Sequence, residues 1–131
     1  MWTEHILHPQ IVRSIFKDEA PSLNRIWLHR MSLEFGSDPT CNLGFDLNQF
    51  PNPAPAKWLQ REFNTVQLNL RLINTNLTMS IQGGAMTGDL KINFINKQFK
   101  IEFKNTDGRV CFDGTAQWID VVSISAYQNS I

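Results

Sequence analysis

Few residues of this chain could do chemistry: three histidines, two cysteines and one facing pair of carboxylates. His5 and His8 have the i,i+3 spacing that would put two imidazoles on one helix face as metal ligands. But His8 precedes Pro9, and the residue before a proline is pushed out of the helical region. With Glu4 as its acidic neighbour, the pair reads as a solvated N-terminal arm, and no metal is expected. His29 lies among apolar residues and reads as a hydrogen-bonded histidine of the core or of a sheet rim. A catalytic role would need a carboxylate or nucleophile against it. Ser32, Glu34 and Asp46 are near in sequence.

Glu102 and Asp113 face each other if Asp107-Gly108 is a hairpin turn. Paired carboxylates can split their pKa values and work as acid and base. With Lys100 and Lys104 alongside, a screened charge network is the plainer reading. Gly83-Gly84 and Gly88 loosely match a phosphate-binding loop, yet they lack the Gly-Lys-Ser/Thr ending and the helix that must follow it. Cys41 and Cys111 fit neither a zinc pattern nor a disulfide framework and read as reduced thiols. Trp2, Trp27, Trp58 and Trp118 are scattered like packing anchors. No catalytic residue and no cofactor is expected, so the chain reads as a non-enzyme.

The totals narrow the class. Lys plus Arg number 12 and Asp plus Glu number 12, a formal charge of zero. Nucleic-acid binders draw affinity from a basic excess, so no nucleic-acid partner is expected. No apolar run approaches the ~20 residues of a membrane helix, and the N-terminus does not read as a signal peptide. A cytoplasmic protein without a membrane partner is the expectation.

The elements that would position these residues follow from periodicity. Pro9 to Lys17 predicts a short helix, with Ile11, Val12, Ile15 and Phe16 as its apolar stripe. From Trp27 the period becomes two, and Trp27, Met31, Leu33 and Phe35 share a face with His29. Leu43, Phe45 and Leu47 alternate with Asn42, Gly44 and Asp46. One helical turn is expected near 57–62, with Trp58 and Leu59 inward. All six prolines lie at or before Pro55, which suits an unbroken sheet afterwards.

That second half yields a register. A two-residue turn at Asn74-Thr75 would set Leu72 on Leu77 and Leu70 on Met79. Another at Asn96-Lys97 sets Phe94 on Phe99, Ile92 on Ile101 and Leu90 on Phe103. Asp107-Gly108 sets Phe103 on Phe112, and the loop GGAMTG allows Met79 against Ile92. In the segment WIDVVSISAYQ the apolar residues change parity, which calls for a bulge or a strand buried on both faces. The predicted fold is one domain over 1–131. It is mainly β with a minor α part: an antiparallel meander of about seven to eight strands. Two short helices cannot cover such a sheet, so it must curl into a barrel or half-barrel.

The polar face of the sheet remains. It carries amides, hydroxyls and charges of both signs, which suits either an ordinary solvated surface or a protein-binding one, and recognition rather than catalysis. Asn69, Arg71, Lys91, Asn93, Lys100 and Glu102 are the expected partner-binding residues on it.

Several stretches together resemble the immunity protein 50 family, small bacterial proteins of polymorphic-toxin systems. They are Lys57-Trp58-Leu59, Phe63-Asn64-Thr65-Val66-Gln67-Leu68-Asn69-Leu70, His8-Pro9-Gln10-Ile11-Val12, Pro21-Ser22-Leu23 and Ile124-Ser125-Ala126-Tyr127. Trp58 and Phe63-Asn64 match the family's central block and read as fold-forming. The resemblance implies a protein, a monomer or weak dimer, that binds and blocks a co-encoded toxin domain. The alternatives are a barrel-type carrier of a small apolar ligand and a bacterial interaction module of another kind.

Overall fold

The computed structural model describes residues 1–17 and 19–130. Its elements are α1 (Gln10–Phe16), β1 (Ile26–Glu34), β2 (Thr40–Asp46), α2 (Ala56–Gln60), β3 (Thr65–Ile81), β4 (Thr87–Ile95), β5 (Gln98–Asn105) and β6 (Val110–Tyr127). The strands form a closed antiparallel ring in the order β1-β2-β3-β6-β5-β4. Two residue pairs, Ile26 with Gly88 and Trp27 with Thr87, join β1 to β4 and complete it.

The mainly β, strongly curled architecture is the one the periodicity predicts; of barrel and half-barrel the structure takes the closed form, with six strands among the described residues rather than seven or eight. The difference lies at Asn74-Thr75. There is no hairpin there. Asn74 has a positive φ of 55°, and the chain runs on as a single strand of 17 residues. β3 lies along β6 for its whole length, so Leu70 faces Val121 and Met79 faces Phe112, not each other; nor does the GGAMTG loop set Met79 on Ile92, because β3 and β4 are not neighbours and Ile92 faces Ile101. Asparagine tolerates the left-handed region, so it can mark a kink inside a strand as easily as a turn between two. No local signal separates these cases.

The other two turns form as predicted. Asn96 and Lys97 both have positive φ, as a tight hairpin with the matching twist requires. Phe94 faces Phe99, Ile92 faces Ile101 and Leu90 faces Phe103. Beyond Asp107-Gly108, Phe103 faces Phe112. The Arg109 backbone N–H donates to Asp107 Oδ1 at 3.2 Å and holds that carboxyl below the usual carboxylate range. The parity change near the C-terminus is a bulge. Asn69 pairs with Ser123 and Leu70 with Val121, so Val122 is the extra residue. Gly114 is needed where β6 passes β3, because a Cβ there would lie inside the Asn76 carbonyl oxygen.

β1 departs from its expected face. Leu28 pairs with Phe45 and Arg30 with Gly44, which leaves His29 as a bulge. Before the bulge Ile26 and Leu28 are buried while Trp27 is 47% exposed. After it Met31 packs on the core, and Phe35 stands 87% exposed. A one-residue insertion flips every later side chain, so a single parity cannot hold across the strand.

Phe45, Phe99, Phe103, Phe112, Leu43, Leu68, Leu70 and Ile101 fill the ring's interior, the space an apolar-ligand carrier would have to leave open. Val12 and Phe16 of α1 join this core. α2 contributes Trp58, tilted on Phe50 at a centroid distance of 6.0 Å. Leu59, expected inward, is 60% exposed, because so short a helix can turn only one side to the sheet.

Candidate functional site

Two regions gather polar side chains, and the topology builds each differently. The first is a cleft at the ring's rim. The β1 bulge turns His29 over the end of β2, where Nε2 lies 2.8 Å from Asp46 Oδ2. The Tyr127 hydroxyl, at the end of β6, donates to the same oxygen. Asp46 is only 5% exposed, and its Oδ1 has no hydrogen-bond partner among the described residues. Burial and the neighbouring Asp46 carboxylate, which accepts its hydrogen bond, push the Tyr127 phenol up to about 12. Arg25, Trp27, Asn48, Thr65 and Thr87 complete a cleft of about 720 Å³.

Chemically this cluster is a clamp. One carboxylate oxygen ties together β1, β2 and the last residue of β6. The contact with the carboxylate uses Nε2 and leaves Nδ1 as the ring's second polar atom. His29 is therefore the rim histidine expected from sequence, and Asp46 is the one of its three candidate neighbours that meets it. Tyr127 was not foreseen. The signal was present only as the chain's single tyrosine at the end of an apolar strand, a position that invites a partner for its hydroxyl.

The second region is the outer face of the sheet. The six residues expected to bind a partner fall into two groups. Asn69 and Arg71 lie where β3 runs between β2 and β6. Arg30 donates to Asn69 Oδ1 at 3.3 Å, and the Asn69 amide donates to Ser123 Oγ at 3.0 Å. Arg71 donates to Asn42 at 3.3 Å, and Asn42 in turn to Glu34 at 3.3 Å. These side chains are committed to one another.

Lys91, Asn93, Lys100 and Glu102 lie on β4 and β5, across β6 from the second half of β3. The registers align them in rows. Thr78, Asp113, Glu102 and Lys91 form one row across four strands, and Asn76, Thr115, Lys100 and Asn93 the next. Glu102 and Asp113 do face each other, both exposed. Among the described residues the ion pairs are Met1–Glu4, His8–Asp120 and His29–Asp46. The charges on these rows are thus uncommitted.

The two N-terminal histidines part company. His5 stacks on Phe94 with centroids 4.2 Å apart, and His8 Nδ1 lies 2.6 Å from Asp120. Contrary to expectation the arm is docked. Ile6 is buried, and Leu7 bonds the backbone of Ile119 and Val121. Trp2 Nε1 donates to the Pro21 carbonyl at 2.9 Å. Of the four tryptophans Trp2 and Trp58 pack against the core, while Trp27 and Trp118 are nearly half exposed. Among the described residues no three or more His, Cys, Asp or Glu cluster as metal ligands would, and no helix is long and apolar enough to cross a membrane.

A family model described as Immunity protein 50 matches residues 8–127, from the start of α1 through the last strand. Neither a curated protein nor a solved structure matches the chain.

Proposed function

Because the chain belongs to the immunity protein 50 family, we propose that it binds and neutralises a co-encoded bacterial toxin domain by protein–protein contact. It acts without catalysis, in the cytoplasm of the producing cell, by occupying the toxin's surface. The observation that carries this reading is the pair of polar rows on β3, β6, β5 and β4. The backbone that carries these hydrogen-bonding groups and unpaired charges is already ordered by strand pairing, so little backbone entropy is lost when a partner docks. Interfaces built this way gain specificity from polar placement. Immunity pairs of the nuclease class reach roughly 10⁻¹³–10⁻¹⁶ M.

Lys91, Asn93, Lys100 and Glu102 are the proposed contacts on the rows, with Asn69 and Arg71 adding a polar margin on the neighbouring half of the ring. Zero formal charge leaves recognition to local pattern rather than to a long-range field. The test is co-expression with the C-terminal domain of the protein encoded in the adjacent reading frame. Growth should be restored, and calorimetry should show a tight 1:1 complex. Lys91→Glu with Arg71→Glu should weaken it at least ~10-fold, as loss of contact residues does. Unchanged affinity would remove these residues from the interface, and absence of rescue would overturn the toxin-binding reading itself.

A further inference from the structure

β3 has a partner on both edges for only half its length. β2 pairs with it from Gln67 to Ile73 and stops at Thr40, where Pro39 turns the chain away. Beyond that point β3 continues to Ile81 against β6 alone. The direction of its backbone groups follows from two hydrogen bonds. The Thr75 N–H points to the β2 side and donates to the Pro39 carbonyl at 2.9 Å, whereas the Gln82 N–H points to the β6 side and donates to Arg109 at 2.9 Å. The register with β6 is constant between them. Strand alternation therefore sends the N–H and C=O groups of Leu77, Met79 and Ile81 to the edge with no neighbour among the described residues.

This edge lacks the usual guards. Natural sheets protect open edges with charges, prolines, bulges or covering segments. From Leu72 to Gly88 the sequence has no charged residue and no proline. Other edges of the same ring are guarded. Along β4, Leu90 N–H donates to the Leu23 carbonyl and His5 stacks on Phe94. Leu7 bonds along β6, which then bulges at Val122. The far part of β1 carries Arg30 and Glu34.

Resting on the toxin-binding reading above, we propose that β3 from Thr75 to Ile81 is a docking edge that receives an extended strand of the toxin domain. An unpaired ladder of backbone donors and acceptors is completed by another backbone, and strand addition is a standard way to bind one. The added strand would lie about 4.8 Å beyond Asn76 and Thr78. It would thus extend the two polar rows that end at Lys91 and Asn93, so one partner can engage the edge and the face together. A second copy paired through the edge alone would bury a narrow strip, well short of the roughly 1,000 Å² of a stable interface.

The test is amide exchange by NMR, with and without the toxin domain from the adjacent reading frame. In the free protein, Leu77, Met79 and Ile81 should exchange much faster than Thr78 and Ser80, and in the complex they should become at least ~100-fold more protected. Met79→Pro removes an outward N–H that no bond uses. It should weaken binding at least ~10-fold, while Ser80→Lys, a side-chain guard, should do so with the ladder intact. A complex in which these amides still exchange freely would overturn the docking edge alone. A concentration-dependent dimer that protects the same amides and vanishes in Met79→Pro would also overturn it, by giving the edge to a second copy. A wild-type chain that fails to bind the domain would overturn the immunity reading and this proposal with it.

Discussion

The two halves of the β3–β6 ribbon share a strand pair and an alternation, yet they differ in almost everything else. In the first half Val66, Leu68, Leu70 and Leu72 are all 0% exposed. In the second, Leu77 and Met79 are half-buried and Ile81 is 63% exposed. The residues are of one type. What changes is the neighbourhood: β2 closes the first half, and nothing among the described residues closes the free edge of the second. The lesson is that burial and backbone closure are properties of a strand's neighbours. The half that is closed supports the core, and the half left open is available for binding.

The sharpest way to break this comparison is to cut the same side chain from each half. Leu70→Ala should destabilise by about 2–5 kcal/mol, as buried leucines do, and Leu77→Ala by about 1 kcal/mol. Urea denaturation measures both, and equal losses would erase the distinction. Next comes Gly114→Ala, which forces a methyl into the Asn76 carbonyl within the open half. Overpacking of this kind should lower stability by about 1–3 kcal/mol, and by more if the ribbon separates.

Tyr127→Phe tests the clamp that anchors the closed half's far end. Losing the hydrogen bond to buried Asp46 should cost about 1–2 kcal/mol. The phenol's raised pKa fixes a pH signature. Its folded value, about 12, lies above the ordinary tyrosine value of about 10. The stabilisation is therefore complete below pH 10 and is lost as pH rises from about 10 toward 12. Thermal melts over that range should show a steeper decline in the wild type than in Tyr127→Phe. The smallest effect belongs to Thr78→Lys on the open half. A surface change there should shift stability within about ±0.5 kcal/mol while placing a guard beside the docking edge and weakening the toxin complex.

Much of the open half could be read from the sequence. The hairpins at Asn96-Lys97 and Asp107-Gly108 follow from turn chemistry and alternation, and the Glu102–Asp113 opposition follows from the second. In the closed half, the bulge near Val122 alone showed itself, as a change of parity. The rest of that half was less legible. His29 was expected at a rim with Asp46 among its neighbours, but the bulge that brings them together is invisible in a list of side chains. So is the kink at Asn74, whose residue type suits both a turn and a continuing strand. The arm from Met1 to His8 looked solvated because the surfaces it packs against, Ile119 to Val121 and Phe94, are remote in sequence.

Alternation and turn residues act over a few positions, and at that range the sequence by itself determined where the second half of the chain is extended, two of the four strand connections it suggested, and which residues of β4 and β5 face outward. Ring closure, the long β3–β6 pairing, the carboxylate shared by His29 and Tyr127 and the open edge at Leu77 to Ile81 were decided by tertiary structure. Each depends on where segments far apart in the chain come to lie and on where β2 ends beside β3. Backbone hydrogen bonding is the same for every residue, so the sequence alone does not say which strand will lack a neighbour.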